Sequence, residues 1–317
     1  MAELRAGVIG VGYLGALHAS KYAADKDVEL GAVFDTDGDR AREVADKYGC
    51  KAAASVGELL AGVDVVSIAV PTCDHLVVGM QAIEAGVHTM MEKPMAADGH
   101  QGLRLAEAAE AAAIVFQVGH LERFNPVFAE VRSVIERPRF IECHRLSPFA
   151  GRGGDTNVVY DVMIHDLDLI SFLVGREVVS VEAVGVDVLS GNVDIANARL
   201  RFDGGCIANV TASRVSLKRE RKLRIFQEEA YVAVDFDGGT VRIARRNQKE
   251  LAADASPMER IVLEEKGFDT ADPLGAELGS FIECVSAGTA PVVGAREGLT
   301  ALLLADRVIE ALETPGE

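Results

Sequence analysis

The stretch AGVIGVGYLGALHA, residues 6–19, places three glycines in the spacing GxGxxG directly after a short β-rich run. In this arrangement Gly10 permits a tight turn, Gly12 lets the backbone approach a pyrophosphate, and Gly15 lets the next helix pack closely on the strand. The N–H groups at the start of that helix hold the anion. The stretch therefore predicts a dinucleotide site, with an ordinary glycine-rich turn as the alternative.

A carboxylate, Asp35, closes the second predicted strand, where such motifs bind the ribose of the nucleotide. A carboxylate suits the paired hydroxyls of NAD and repels the 2′-phosphate of NADP. No arginine follows directly to accept that phosphate. The sequence therefore favours NAD over NADP.

The pattern of predicted strands and helices changes after about residue 122. Before that point, β-rich runs alternate with helical stretches, which predicts a parallel sheet with crossover helices. Afterwards strands dominate, and Asp-Gly-Gly occurs twice between alternating runs, which is typical of antiparallel hairpins. We expect an α/β Rossmann domain at 1–122 and an α+β domain with a large, mostly antiparallel sheet at 123–317. Helices return from Leu274, and they are expected either within the second domain or packed back on the first.

Composition excludes several classes of protein. A formal charge of −17 over 317 residues argues against nucleic acid or an anionic membrane as a partner. The sequence contains no apolar run long enough for a membrane span and no signal peptide at its start. Its five cysteines are scattered, which fits reduced thiols better than a disulfide framework or a zinc site. We therefore expect a cytoplasmic protein without a metal centre.

Three short runs follow predicted strands at the edge where such sheets bind ligands: VPTCDH, EKP and GHLERFNP. Lys93, in EKP, could reach a substrate hydroxyl, or it could simply be solvated. His75 and His120 could act in the site, or they could be hydrogen-bonded structural histidines. The residues predicted to contact the cofactor are Gly10, Gly12, Tyr13, Leu14, Gly15, Asp35, Pro71, Thr72, His75, Glu92 and Lys93.

The run DVMIHDLDLI, residues 161–170, carries polar groups on an otherwise apolar helix. Helical spacing places Asp161, His165 and Asp168 on one side. Such a stripe could be a catalytic group, a satisfied polar seam between domains, or part of a metal site. No third soft ligand is evident in the sequence, which disfavours the metal.

Taken together, these motifs resemble the glucose-fructose oxidoreductase, inositol dehydrogenase and MocA family. The resemblance is carried by GVGYLG with His18, by Asp35, by the run ending in His75, by EKP, and by Asp161 with His165. It implies a Rossmann domain that binds NAD(P) and a second domain whose open sheet forms the subunit interface of a homodimer or homotetramer. It also implies that Lys93, Asp161 and His165 occupy active-site positions and converge beside the cofactor.

The chemistry of this family suits those residues. His165 would take the hydroxyl proton as hydride leaves carbon, Asp161 would orient the imidazole or bind an adjacent hydroxyl, and Lys93 would stabilise negative charge on oxygen. Asp168 would tune the histidine or cap nearby backbone. The runs GHLERFNP, RLSPF and YDVMIHDLDL also resemble members that act on UDP-N-acetylglucosamine, which implies oxidation at C3. A dehydrogenase of a free polyol or monosaccharide and a non-catalytic NAD sensor are the alternatives.

A UDP group requires cationic contacts. The candidates are His120, Arg123, Arg145 and Arg152, together with the basic run from Arg214 to Arg224. Glycines around Arg152 suggest a loop that closes over substrate. The alternative for the basic run is a solvated edge segment that discourages sheet-to-sheet aggregation.

Overall fold

A computed structural model describes residues 4–149, 156–248, 259–269 and 272–313. Contacts between Cα atoms divide the chain into two compact units. The first comprises Met1–Phe124 together with Asp272–Leu303, and the second comprises Asn125–Ala271 together with Leu304–Glu317.

The first unit contains a parallel sheet of six strands in the order β3-β2-β1-β4-β5-β6. Its strands are β1 (Leu4–Ile9), β2 (Val28–Phe34), β3 (Lys51–Ala52), β4 (Val65–Ile68), β5 (His88–Met91) and β6 (Phe116–Val118). Its crossover helices are α1 (Tyr13–Ala24), α2 (Gly38–Tyr48), α3 (Val56–Leu60), α4 (His75–Glu84) and α5 (Gly99–Ala112). The order reverses between β1 and β4, and ligands of doubly wound sheets bind at such a reversal.

Local sequence explains where these helices begin. The sequence predicts N-caps at Ser55 and Asp98, because a Glu or a Gln follows each of them three residues later. Ser55 accepts a hydrogen bond from the N–H of Glu58, and Asp98 accepts one from the N–H of Gln101, which confirms both caps. Each side chain satisfies a helix N–H that would otherwise have no partner within the helix. Glu58 differs in detail from a full capping box, because its carboxylate accepts from the N–H of Ala54 rather than of Ser55.

The second unit contains an eight-stranded sheet in the order β14-β13-β12-β11-β7-β10-β9-β8. Its strands are β7 (Pro138–Leu146), β8 (Val178–Val186), β9 (Ile195–Phe202), β10 (Ile207–Ser213), β11 (Glu220–Gln227), β12 (Ala230–Asp235), β13 (Thr240–Arg246) and β14 (Ile261–Gly267). Neighbouring strands are antiparallel except β7 and β10, which are parallel. Its helices are α6 (Pro126–Val134) and α7 (Ile164–Val174).

Buried and exposed side chains alternate along these strands, which gives the sheet two different faces. On β7, Ile141 and Cys143 are buried, whereas Glu142 and His144 point to the opposite side. Helix α6 packs on β12 and β13, and α7 packs on β7 and β10, which covers the apolar inner face. The opposite side, here called the outer face, carries partly exposed charged and aromatic side chains.

Two further helices follow the second sheet in sequence. They are α8 (Pro273–Ala287) and α9 (Ala295–Glu313). Leu278, Phe281 and Ile282 of α8 join the same buried cluster as Ala6 and Val8 of β1. Helix α8 therefore supplies part of the core of the first unit.

The predicted fold class is confirmed, and so are the two Asp-Gly-Gly turns, where Gly204, Gly205 and Gly239 have positive φ. Strands β3 and β14 were not predicted from the sequence. Strand β3 is only two residues long. Strand β14 begins with the apolar residues Ile261–Leu263 but has no alternation of apolar and polar residues, and all of its residues are exposed. In the described ranges, no helix combines the length and the apolarity needed to span a bilayer.

Candidate functional site

The glycine turn between β1 and α1 has the geometry that a pyrophosphate site requires. Gly10 has a φ of +82°, and a Cβ there would lie 2.7 Å from the carbonyl oxygen of Ala69. A Cβ at Gly15 would overlap the carbonyl oxygen of Gly10. A Cβ at Gly12 would meet no atom within 4 Å. Gly10 and Gly15 are thus required by the turn itself, whereas Gly12 borders open space that a ligand can fill.

Helix α1 begins at this turn with no side-chain cap on its first N–H groups. Uncapped N–H groups and the helix dipole make such an end an anion site. Tyr13 and Leu14, which follow Gly12, are exposed at 69% and 44%. The turn therefore fits a dinucleotide.

Asp35 is fixed beside the glycine turn. One carboxylate oxygen accepts the N–H of Val11 at 2.9 Å, and the other accepts the N–H of Asp37 at 2.9 Å. The guanidinium of Arg40 lies 3.4 Å from both oxygens. Arg40 was not predicted to lie here, since it is five residues after Asp35, in the first turn of α2. This arrangement holds a carboxylate where a ribose diol can bind, as expected for NAD.

His75 connects the run VPTCDH, which follows β4, to the run EKP, which follows β5, at the carboxyl edge of the sheet. Its Nδ1 lies 2.9 Å from the carbonyl oxygen of Pro94, and its Nε2 lies 3.0 Å from that of Val70. Burial lowers the pKa of His75, although both carbonyls and the charge of Glu92 act in the opposite direction. The imidazole thus fastens the Lys93–Pro94 segment to the end of β4. Pro71 is exposed and Thr72 is partly exposed at the same edge.

Glu92 ends a buried hydrogen-bonded chain. Its carboxylate lies 3.0 Å from Nε2 of His18, whose Nδ1 lies 3.0 Å from the hydroxyl of Ser67. The hydroxyl of Ser67 lies 2.8 Å from that of Tyr22. Burial raises the pKa of Glu92, but His18 and Lys93 outweigh it, so the pKa is lowered overall. An ionised Glu92 accepts the backbone N–H of Lys93 at 3.1 Å, which fixes the EKP segment.

The remaining candidates of the first unit lie after β6. His120 is buried, and Arg123 is partly exposed in the short 3₁₀ turn Leu121–Phe124. Arg152 and the neighbouring glycines lie outside the described residues.

In the second unit, the helix that bears Asp161 and His165 begins as a π-helix. Residues Val159–Met163 form this turn, and the N–H of Ile164 donates to the carbonyl of Val159. The sequence predicts regular helical spacing here, so the π-turn is a difference from the prediction, and such turns often occur at functional sites. Asp161 and His165 are both partly exposed, whereas Asp168 is buried with 2% exposure.

Two buried arginine–aspartate pairs support this helix. Arg145 of β7 donates to both carboxylate oxygens of Asp166, the residue after His165. Arg214 donates to Asp194 at 2.8 Å and to the carbonyl of Thr156 at 2.6 Å. Arg145 and Arg214 are among the residues that the sequence offers as contacts for the UDP group. Neither pairing could be anticipated, because the partners are distant in sequence.

The rest of the basic run lies on the sheet surface. Lys218 pairs with Glu220, Arg219 with Asp237, and Arg224 with Glu142. These side chains are exposed at 72%, 61% and 50%, and their pairs contribute little stability because solvent screens them. Within the ranges that the structure describes, no cluster of His, Cys, Asp and Glu has the arrangement of a metal site.

Comparison with known proteins agrees with this geometry. The oxidoreductase family with an NAD-binding Rossmann fold matches residues 4–120, and the GFO/IDH/MocA C-terminal domain matches residues 129–233. UDP-N-acetylglucosamine 3-dehydrogenase of Acidithiobacillus ferrooxidans is 39% identical over 288 residues, which is 90% of each chain. A solved structure of the enzyme of that name and organism superposes with a TM-score of 0.92 at 38% identity, covering 99% of this chain and 98% of the other. Myo-inositol 2-dehydrogenase of Thermotoga maritima is 27% identical over 98% of this chain and 96% of its own.

Proposed function

The chain belongs to the Gfo/Idh/MocA oxidoreductase family, and from this premise we propose that it oxidises C3 of a UDP-N-acetyl-hexosamine with NAD. The family is that of NAD-dependent dehydrogenases, and the glycine turn with Asp35 fits the cofactor. The 39% identity to a UDP-N-acetylglucosamine 3-dehydrogenase supports the substrate, since the inositol dehydrogenase is more distant at 27%.

Bound NAD supplies the hydride acceptor, and the residues of the chain handle the proton and the charge. His165 accepts the proton of the C3 hydroxyl, because an imidazole titrates near neutral pH. Asp161, one turn earlier on the helix, orients that imidazole or binds an adjacent hydroxyl. Lys93 stabilises the negative charge that develops on the oxygen. This assignment requires Lys93 and His165 to converge on one substrate.

The observation that carries the proposal is the exposure pattern of the helix. In the apolar run around Asp161 and His165, the flanking Met163, Ile164 and Leu167 are buried completely, whereas those two polar residues remain accessible. A satisfied polar seam would bury them. Accessible ionisable groups at the start of a rigid helix are suited to contact a substrate.

A direct test follows NADH formation with UDP-N-acetylglucosamine, UDP-glucose, myo-inositol and glucose as separate substrates. We expect turnover with the first, and the 3-keto product should be identified by mass spectrometry after borohydride or borodeuteride reduction. His165→Ala should lower kcat by about 10²- to 10⁴-fold with little change in NAD affinity. Turnover of inositol alone would assign a free polyol instead. Tight NAD binding with no turnover of any of these substrates would favour a sensor.

For the UDP group we propose His120 and Arg123 as contacts, with Arg152 as a third. These side chains offer hydrogen bonds and positive charge in a protein with a net charge of −17. If they bind the diphosphate, Arg123→Met should raise KM for the UDP-sugar more than it lowers kcat. An unchanged KM would exclude Arg123 from the substrate site.

We also propose that the outer face of the eight-stranded sheet forms a homodimer or homotetramer. Phe226 lies between Phe140 and Tyr231 with ring centroids 5.7 and 4.8 Å away, and it is 37% exposed. An aromatic cluster amid charged side chains is typical of subunit interfaces. Phe226→Asp should therefore lower the molar mass measured by light scattering. An unchanged mass in a folded variant would place the interface elsewhere, and a monomeric wild type would exclude the assembly.

A further inference from the structure

The ion pair between Arg145 and Asp166 is nearly removed from solvent. The two side chains are exposed at 7% and 1%. Nε of Arg145 lies 3.0 Å from each carboxylate oxygen of Asp166, and Nη2 lies 2.7 Å from one of them. The carboxylate therefore receives several bonds from a single planar guanidinium.

Stability alone does not account for such a pair. Burying two charges costs solvation energy, and apolar residues of similar volume often stabilise a core equally well or better. What the pair does supply is direction, because the guanidinium fork bonds a carboxylate in one plane and at a fixed distance. Arg145 lies on β7, between β10 and β11 in the middle of the sheet, so its backbone is held on both sides. It therefore fixes Asp166 relative to a rigid element.

Asp166 directly follows His165, so an anchor on one sets the rotation of the helix at the other. This matters here because the preceding turn is a π-helix, whose wider hydrogen-bond spacing shifts the phase of the residues on either side. A regular α-helix would transmit its orientation from one end to the other, whereas a π-turn leaves the second half to be fixed separately.

A second anchor lies on the other side of the π-turn. Arg214 donates to the carbonyl of Thr156 at 2.6 Å, and the N–H of Val158 donates to the carbonyl of Val193 at 3.1 Å. Arg214 is itself held by buried Asp194. Asp161 and His165 thus lie between two fixed points, Thr156 before the π-turn and Asp166 after it.

We propose that Arg145 is a positioning residue that acts through His165, by holding Asp166 and thereby the orientation of the imidazole. This inference rests on the proposed function, in which His165 is the base. It assigns Arg145 a role different from the phosphate contact expected from the sequence. A misplacement of a reacting group by about 1 Å costs on the order of 10²-fold in rate, which sets the expected effect.

The test is a double-mutant cycle between Arg145 and His165 with UDP-N-acetylglucosamine and NAD as substrates. Arg145→Met should lower kcat by about 10²-fold, with KM for the sugar changed by less than about 3-fold. In the His165→Ala background, the same substitution should lower kcat by less than about 3-fold, because the group it positions is already absent. Arg145→Lys keeps the charge without the fork, so it should recover thermal stability while kcat stays low.

A readout without cofactor or turnover accompanies the cycle. The imidazole NMR signals of His165 should broaden or split in Arg145→Met, because the ring then occupies more than one orientation. The matched control is Val232→Ala, a fully buried position on β12 in the same sheet. It should lower Tm without a loss of kcat per folded molecule and without a change in those signals. If Arg145→Met does not fold, Asp166→Asn replaces it in the same cycle.

Three results would overturn the positioning role. Equal losses from Arg145→Met in both backgrounds would show that it does not act through His165. A raised KM with unchanged kcat would show a direct substrate contact. If Val232→Ala lowers Tm as much as Arg145→Met and also lowers kcat, general destabilisation would explain the loss of kcat in Arg145→Met. If His165→Ala leaves turnover unchanged, His165 is not the base and both proposals fail. If His165→Ala lowers turnover but Arg145→Met has the same effect in both backgrounds, only the positioning role fails.

Discussion

Substituting alanine separately for two glycines of the same turn should separate cofactor binding from folding. Gly12 has a φ of −65°, which any residue adopts, and a Cβ there meets no atom within 4 Å. Gly12→Ala should therefore change the free energy of unfolding of the free protein by less than about 1 kcal/mol. Its methyl group would instead occupy the space through which the pyrophosphate approaches the backbone.

The effect on NAD follows from the contacts that the methyl group prevents. A hydrogen bond to a charged group contributes about 1.5–3 kcal/mol, so losing one raises Kd by about 10- to 150-fold. At an NAD concentration of about 100 times the wild-type Kd, the wild type gains about 2.7 kcal/mol on binding. A variant with a Kd equal to that concentration gains only about 0.4 kcal/mol.

Gly15→Ala should give the opposite pattern. Its Cβ would overlap the carbonyl oxygen of Gly10, so α1 must move away from the turn. Overpacking of this kind costs about 1–3 kcal/mol in the free protein. The assay is urea unfolding of both variants with and without NAD, together with calorimetric titration. Wild-type affinity in Gly12→Ala, or unchanged stability of free Gly15→Ala, would refute this account of the turn.

Further substitutions test the cofactor and the charged groups. Asp35→Ala should weaken NAD binding and narrow its preference over NADP, measured by titration with both; unchanged discrimination would reject the ribose contact. Lys93→Met should lower kcat more than Tm, and equal effects would indicate a structural role. Burial raises the pKa of Asp194, but Ser190, the Leu189 N–H and Arg214 outweigh it and hold the pKa far below its usual range. The lowered pKa of Asp194 stabilises the folded protein against unfolding. This stabilisation is present above about pH 4 and is lost as pH falls further. Asp194→Asn should cost about 3–5 kcal/mol at neutral pH and flatten that acid decline in urea unfolding curves, whereas an unchanged acid decline would contradict the assignment.

Local rules account for what the sequence predicted correctly. The glycine turn, the N-caps at Ser55 and Asp98 and the Asp-Gly-Gly hairpins each depend on residues within a few positions of one another. Their backbone requirements are therefore visible in a short stretch. The same holds for the alternation that separates the two faces of the larger sheet.

The supports of the site depend on residues that are far apart in sequence. Arg145 lies in a strand and Asp166 in a helix, and nothing near either residue indicates its partner. Arg214 begins a run of basic residues that is otherwise exposed, so its burial with Asp194 is set by the packing of the sheet. The π-turn is likewise not evident from the periodicity, because Val159–Met163 is a single turn, which is too short for a changed period to show in the sequence.

The core of the first unit has a consequence for biosynthesis. Phe281 and Ile282 of α8 belong to the same buried cluster as β1, and α8 contacts α1 and β5, yet the ribosome synthesises α8 only after the whole second sheet. At about 5–20 residues per second, the nascent Rossmann strands would wait roughly 10–30 s for this missing layer. During that interval the apolar surface that α8 covers on α1 and β5 stays exposed to solvent, and transiently exposed apolar surface promotes aggregation. A message truncated before α8 would accordingly yield an aggregation-prone product, even though it encodes every strand of the parallel sheet.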